Sequence, residues 1–216
     1  MMNTYPTIIV DDFFENPDDV VELANSVDYP FSDHTYPGKR SAHLGEIDGR
    51  FYNYFVTQML SAFGLQPRNS ILNAYFQKVK PFSDEKWDKK NCGWIHRDSH
   101  PTIFGGIVYL NKNADKDTGT SIYRLVKGFG VRNPEEQNVA SELRRGNNVN
   151  DIEYTERYTD YHNQFEETVK VDNVYNRFFS FPNTAWHGVR TYGIEERLTI
   201  AFFCSQIDPE NVNPTT

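Results

Sequence analysis

The sequence is poor in the features of secreted, membrane-spanning or nucleic-acid-coating proteins. Its two cysteines, Cys92 and Cys204, cannot form a disulfide framework and imply reduced thiols in a cytoplasm. Cys204 alternates with apolar neighbours, as a core strand residue does. Cys92 stands four before His96, but zinc-type sites pair their cysteines, so no metal role is expected for it. No apolar run approaches the ~18 residues of a bilayer-spanning helix. The opening MMNTYPTIIVDDFF has no basic segment leading into an apolar one, so no signal peptide is expected. Basic residues are also scarce: 22 Lys and Arg stand against 30 Asp and Glu, a net charge of −8. That sign opposes binding to phosphate backbones and anionic membranes, so neither nucleic acid nor a membrane is an expected partner. Repeats and low-complexity tracts are missing. The expected location is the cytoplasm.

What is present suffices for a packed core. Hydrophobic residues make up 38% and aromatics 15% of the 216 residues, enough for one domain over 1–216. TIIVDDFFENPDDVVELANSV reads as a strand and then a helix. Asn16 can cap it, Pro17 takes the first position, and Val20, Leu23, Ala24 and Val27 share a face. A second helix is expected over about Gly49 to Phe63, with Phe51, Phe55, Met59 and Ala62 inward and Gly64 ending it. From Ile71 the texture turns to strands: ILNAYFQKV, TIFGGIVYL, TSIYRL, RFFSF and RLTIAFFCS. Helices followed by strands suggest an α+β, mainly β, chain. The polar stretch 126–172 interrupts this pattern. Asn133-Pro134-Glu135-Glu136 reads as a helix start and Gly146 as its stop, and Tyr154, Tyr158, Tyr161 and Phe165 recur at helical spacing. It reads as a helical insertion too short to bury its own core, with the tyrosines packing against the rest.

The chemistry concentrates in GWIHRDSHPTIFGGIVYLNK. In extended chain His96 and Asp98 aim to one side while Arg97 points away. An imidazole and a carboxylate so placed supply two of the three ligands of a facial iron site, and a distant histidine should supply the third. His187, in FPNTAWHGVRTYG, fits best. His34 and His43 lie in the N-terminal region, His162 in the insertion, and His100 follows Asp98 too closely, though it could line the pocket. In RLTIAFF, Arg197, Thr199, Ala201 and Phe203 share one strand face, and Leu198, Ile200 and Phe202 the other. A guanidinium among apolar residues needs an anionic partner, and Arg197 could clamp a carboxylate with help from Thr199 and Tyr109. Tyr75 is a further candidate pocket residue. The plainer alternatives are a surface turn at His96 and Asp98, and an ion pair of Arg197 with Glu195 or Glu196.

In order along the chain, HRD, the strand ending YLN at Tyr109 to Asn111, the turn TGTSIY at Thr118 to Tyr123, His187, and Arg197 ten residues later in RLT resemble the Fe(II)/2-oxoglutarate-dependent oxygenases, most closely their prolyl-4-hydroxylase-like branch. The resemblance spans roughly Ile71 to Ser205. Its turn departs from the family's GGxT in having one glycine.

The resemblance implies a double-stranded β-helix (jelly roll) core from 71–125 and 173–205. The N-terminal strand and helices of 1–70 would pack on one sheet, and 126–172 would be an insertion able to serve as a substrate lid. It implies Fe(II) held by His96, Asp98 and His187, and the distal carboxylate of 2-oxoglutarate held by Arg197, Thr199 and Tyr109. With O2 as oxidant, the expected reaction hydroxylates a substrate C–H bond and releases succinate and CO2. Halogenating members lack the carboxylate that Asp98 supplies. The substrate is unspecified, a peptide or protein side chain being the class the resemblance favours. The competing expectations are a cupin-like metalloenzyme that does not use 2-oxoglutarate and a catalytically silent jelly-roll binding module.

Overall fold

The computed structural model describes residues 5–32, 35–66 and 69–208. His34 lies outside them. Nine strands are described: β1 (Ile8–Val10), β2 (Lys39–His43), β3 (Ser70–Val79), β4 (Phe104–Tyr109), β5 (Thr120–Leu125), β6 (Phe165–Val171), β7 (Phe178–Pro182), β8 (Trp186–Val189) and β9 (Arg197–Ile207). They form two antiparallel sheets, a six-stranded one in the order β1-β7-β4-β9-β3-β2 and a three-stranded one in the order β6-β5-β8. The chain is therefore mainly β with a few helices. Among the described residues no helix is long and apolar enough to cross a membrane.

The strand alternation read from the sequence divides the large sheet as expected. Leu198, Ile200 and Phe202 of β9 join Phe178, Phe104 and Phe76 in the main core. Against that face pack α1 (Pro17–Ser26) and α3 (Gly49–Ala62), through Val20, Ala24, Phe55, Met59 and Leu60. Phe202 sits at its centre, fully buried, with ring centroids 5.5 Å from Phe55 and 5.2 Å from Phe178. The opposite face of the same strands carries Arg197, Thr199, Ala201 and Phe203, which line a cavity.

Local signals explain the helix ends, with one correction. Asn16 makes no side-chain capping bond, so α1 starts on Pro17 and its first-turn acids alone. The α3 cap is Asp48, whose carboxylate accepts from Arg50 N–H at 2.8 Å and Phe51 N–H at 3.1 Å. Gly64, at φ +68°, turns the chain out of that helix. A four-residue helix α2 (Leu44–Ile47) precedes it.

The stretch 126–172 holds α4 (Pro134–Arg144), capped reciprocally by Asn133 and Glu136, and α5 (Asp151–His162). Phe165 does not continue α5, contrary to the helical spacing read from the sequence. It opens β6, which pairs with β5. β6 escapes sequence reading because five of its seven residues are exposed, so EETVK shows no apolar alternation. Tyr154, Tyr158 and Tyr161 are buried against Cys92, Trp94 and Ile95, immediately before His96.

Candidate metal centre

The segment 92–98 is not part of a named strand, yet it is held extended. His96 N–H donates to His187 C=O and His187 N–H to His96 C=O, both at 2.9 Å. This isolated bridge places the two imidazoles side by side, with ring centroids 4.3 Å apart. From the outside α5 braces the same segment. Tyr161 donates its hydroxyl to Ile95 C=O at 2.8 Å, and His162 Nε2 accepts from Ile95 N–H at 3.2 Å.

Each imidazole is oriented through its other nitrogen. His96 Nδ1 lies 2.9 Å from Trp94 C=O and His187 Nδ1 3.1 Å from Ala185 C=O, so both Nδ1–H groups donate to backbone and both Nε2 atoms are left to coordinate. Asp98 completes the set, with Oδ1 3.8 Å from His187 Nε2, and one ligand atom from each residue lies within 4.8 Å of the other two. Two neutral imidazoles and a carboxylate on one side suit a divalent transition metal. Burial pushes His187 down to about 4. Burial and the neighbouring His187 also lower His96, which stays solvent-accessible although dense protein surrounds it. Burial raises the Asp98 carboxyl. In all three residues burial is the largest influence and disfavours the charged form. Asp98 Oδ2 has no hydrogen-bond partner. It also depends on Gly105 of β4, where an added Cβ would stand 2.7 Å from that oxygen.

The cavity in front of the triad encloses about 150 Å³ and reaches Arg197. That side chain is 5% exposed. Its Nε–H donates to Thr118 C=O at 3.1 Å, while Nη2 is buried without a partner. No ion pair with Glu195 or Glu196 forms. Burial lowers the Arg197 guanidinium from its ordinary range. Thr199 lines the cavity beside it. Tyr109, across the sheet from Thr199, is packed against Arg197 and does not line the cavity. Its hydroxyl oxygen accepts from Thr120 N–H at 3.0 Å, leaving the hydroxyl proton to donate.

Of the other sequence candidates, Arg97 points away and stacks over Trp186 at 4.2 Å. His100 lines a separate cavity with Thr102 and Asn183, so it is not a pocket residue of the triad. Tyr75 lines a neighbouring cleft with Tyr36 and Arg40. Sequence reading missed Thr120, whose Oγ1 is buried without a partner at the cavity wall. The signal was the single turn glycine. Gly119 lets that turn pass β6 closely, since a Cβ there would lie 1.9 Å from Val171 C=O.

A family model described as a family of unknown function, DUF6445, matches residues 1–191. The chain belongs to that family. No curated protein matches this DUF6445 chain in sequence. Among solved structures it resembles HygX from Streptomyces hygroscopicus with nickel and 2-oxoglutarate bound, at 15% identity over 94% of this chain and 84% of that one, with a TM-score of 0.54. It resembles equally a prolyl hydroxylase from Trichoplax adhaerens in complex with a hypoxia-inducible-factor peptide fragment, at 12% identity, 94% and 84% coverage and a TM-score of 0.54. HygX with nickel, 2-oxoglutarate and hygromycin B bound matches at 14% identity, the same coverage and a TM-score of 0.53. The DUF6445 chain thus shares the fold of HygX and of this prolyl hydroxylase.

Proposed function

We propose that the chain is an Fe(II)- and 2-oxoglutarate-dependent dioxygenase that hydroxylates a C–H bond of its substrate, with release of succinate and CO2. Its two sheets would form the jelly roll of that superfamily. The carrying observation is that one cavity holds both a His-Asp-His set within coordination reach and, separately, a buried guanidinium with an unpartnered Nη2. A metalloenzyme indifferent to 2-oxoglutarate has no use for the second feature.

His96, Asp98 and His187 would hold the metal, and Arg197 with Thr199 would hold the distal carboxylate of 2-oxoglutarate. Tyr109, whose ring packs against the guanidinium, would support Arg197. When bound, iron with 2-oxoglutarate supplies oxidative activation of O2. The protein's contribution is orientation and exclusion of water. Trp94 and Ala185 carbonyls fix the imidazoles, Gly105 leaves room for Asp98, and Arg197 sets the cosubstrate's direction. The helical stretch 126–172 would brace the His96 segment and border the substrate mouth. The neighbours' complexes with a peptide and with hygromycin B support an external substrate, a peptide or protein side chain being one class. The test is conversion of 2-oxoglutarate to succinate by the iron-loaded protein. It should require O2 and vanish in His187→Ala. Succinate formed at the wild-type rate by His187→Ala would remove the proposal.

A further inference from the structure

Among the described residues six buried side-chain polar atoms lack a hydrogen-bond partner, and three of them belong to residues of the metal cavity: Asp98 Oδ2, Arg197 Nη2 and Thr120 Oγ1. Burying a polar group unpaired costs free energy, so native structures hold few of them and each calls for an explanation. The metal explains the first, and the distal carboxylate of 2-oxoglutarate the second. Thr120 has no role in that account.

Its surroundings supply one. Three consecutive residues are pinned where the chain enters β5. Thr118 C=O accepts from Arg197 Nε–H at 3.1 Å, Gly119 C=O from Arg190 N–H at 3.0 Å, and Thr120 N–H donates to the Tyr109 hydroxyl at 3.0 Å. Burial raises Tyr109, and Arg197 and then Thr120 offset part of that rise, so the three groups meet at one place. A threonine side chain is stiff at χ1, so a fixed backbone also presets the hydroxyl. Along β5, Ile122 pairs with His187 and Thr120 with Val189. Thr120 thus lies two residues, roughly 7 Å, along the strand from the position facing a metal ligand. A keto diacid that chelates the metal at one end can bridge that span. Tyr109 is not placed to make the same contact, because it does not line the cavity and its hydroxyl oxygen already accepts from Thr120 N–H.

Resting on the oxygenase reading, we propose that Thr120 is the hydroxyl donor that reaches the distal carboxylate of 2-oxoglutarate beside Arg197, in the place expected of Tyr109. It thereby helps select a keto diacid over a keto acid that lacks the distal carboxylate. A carboxylate offers about four acceptor sites, so Arg197, Thr199 and Thr120 bind it without competing. Tyr109 acts from behind, holding the Thr120 N–H and packing against the guanidinium.

The experiment titrates 2-oxoglutarate onto nickel-loaded protein by calorimetry, with loading verified by equilibrium dialysis. Thr120→Val keeps the shape of the side chain and removes the hydroxyl. Unliganded, it should load nickel and melt no lower than wild type, since it loses only an unpaired group. Its dissociation constant for 2-oxoglutarate should rise at least about tenfold. Thr120→Ser, which restores a hydroxyl, should bind within a factor of about three of wild type. 2-Oxobutanoate, which has the keto acid end but no distal carboxylate, should treat wild type and Thr120→Val alike. Thr120→Ala stands in if Thr120→Val fails to fold, and failure of both makes Thr120 a structural residue and removes the inference. Wild-type affinity in Thr120→Val, a loss that Thr120→Ser shares, or an equal loss for 2-oxobutanoate overturns this inference and leaves the oxygenase reading intact. Wild-type protein that takes up no nickel, or binds no 2-oxoglutarate once loaded, removes the oxygenase reading and this inference with it.

Discussion

Replacing Arg197 with methionine should move stability and cosubstrate affinity in opposite directions. The guanidinium is 5% exposed, donates from Nε to the Thr118 carbonyl, and buries Nη2 with no partner. The flanking Tyr109 ring, 5.4 Å away, offsets only part of that burial. Exchanging buried ionic groups for apolar ones of similar volume stabilises proteins by about 1–4 kcal/mol in favourable cases. For a chain of this size each kcal/mol raises the melting temperature by roughly 2–4 °C. Removing one partner of a buried charge pair, by contrast, costs about 2–5 kcal/mol of binding. Arg197→Met should therefore melt higher than wild type without ligand and bind 2-oxoglutarate at least about 30-fold more weakly. Differential scanning calorimetry of the unliganded proteins, with calorimetric titration of 2-oxoglutarate onto the nickel-loaded ones, reads both effects. A lower melting temperature with unchanged affinity would show that Arg197 is a structural strut, and the charge reasoning would be wrong.

Three further outcomes are expected. Gly105→Ala puts a Cβ 2.7 Å from Asp98 Oδ2, so the carboxylate must move and metal affinity should fall about 10–100-fold in equilibrium dialysis; undiminished affinity would contradict the close approach. Phe202→Ala empties the centre of the helix-covered face and should destabilise by about 3–5 kcal/mol in urea unfolding, against which a loss below ~1 kcal/mol would count. His162, held at about 4 by burial, accepts from Ile95 N–H only while neutral. Its pKa is depressed on folding, so the unfolded chain binds the extra proton. Its stabilisation is complete above the ordinary histidine value of ~6.5 and is lost as pH falls towards about 4, amounting to roughly 2–3 kcal/mol there. His162→Gln should flatten the urea-unfolding profile over that window, and a profile as steep as wild type would rule the coupling out.

Residues that carry their signal in local order were legible in the sequence. The alternation of RLTIAFF separates cavity-facing Arg197, Thr199, Ala201 and Phe203 from core-facing Leu198, Ile200 and Phe202, as the structure shows. The period-two spacing of His96 and Asp98 and the motif order out to His187 led to the cluster that the fold assembles. What escaped depends on contacts between distant segments. β2 is a five-residue edge strand, KRSAH, whose pairing with β3 is broken by a bulge, so neither length nor alternation marks it. β6 is too exposed to show a pattern. Arg40 and Arg132 line the cavity from an edge strand and a loop, and only the folded chain brings them to it. Asn16 failed as a cap because an allowed residue type at the right position does not by itself make the hydrogen bond.

The central claim is that one cavity holds iron through His96, Asp98 and His187 and 2-oxoglutarate through Arg197. Anaerobic titration of the unloaded protein with Fe(II) and then 2-oxoglutarate tests it most directly. Chelation of the metal by the keto acid should produce a weak visible charge-transfer band, absent in His96→Ala and formed only at much higher 2-oxoglutarate in Arg197→Ala. Iron binding with no band at any 2-oxoglutarate concentration, or a band indifferent to both substitutions, would contradict the account.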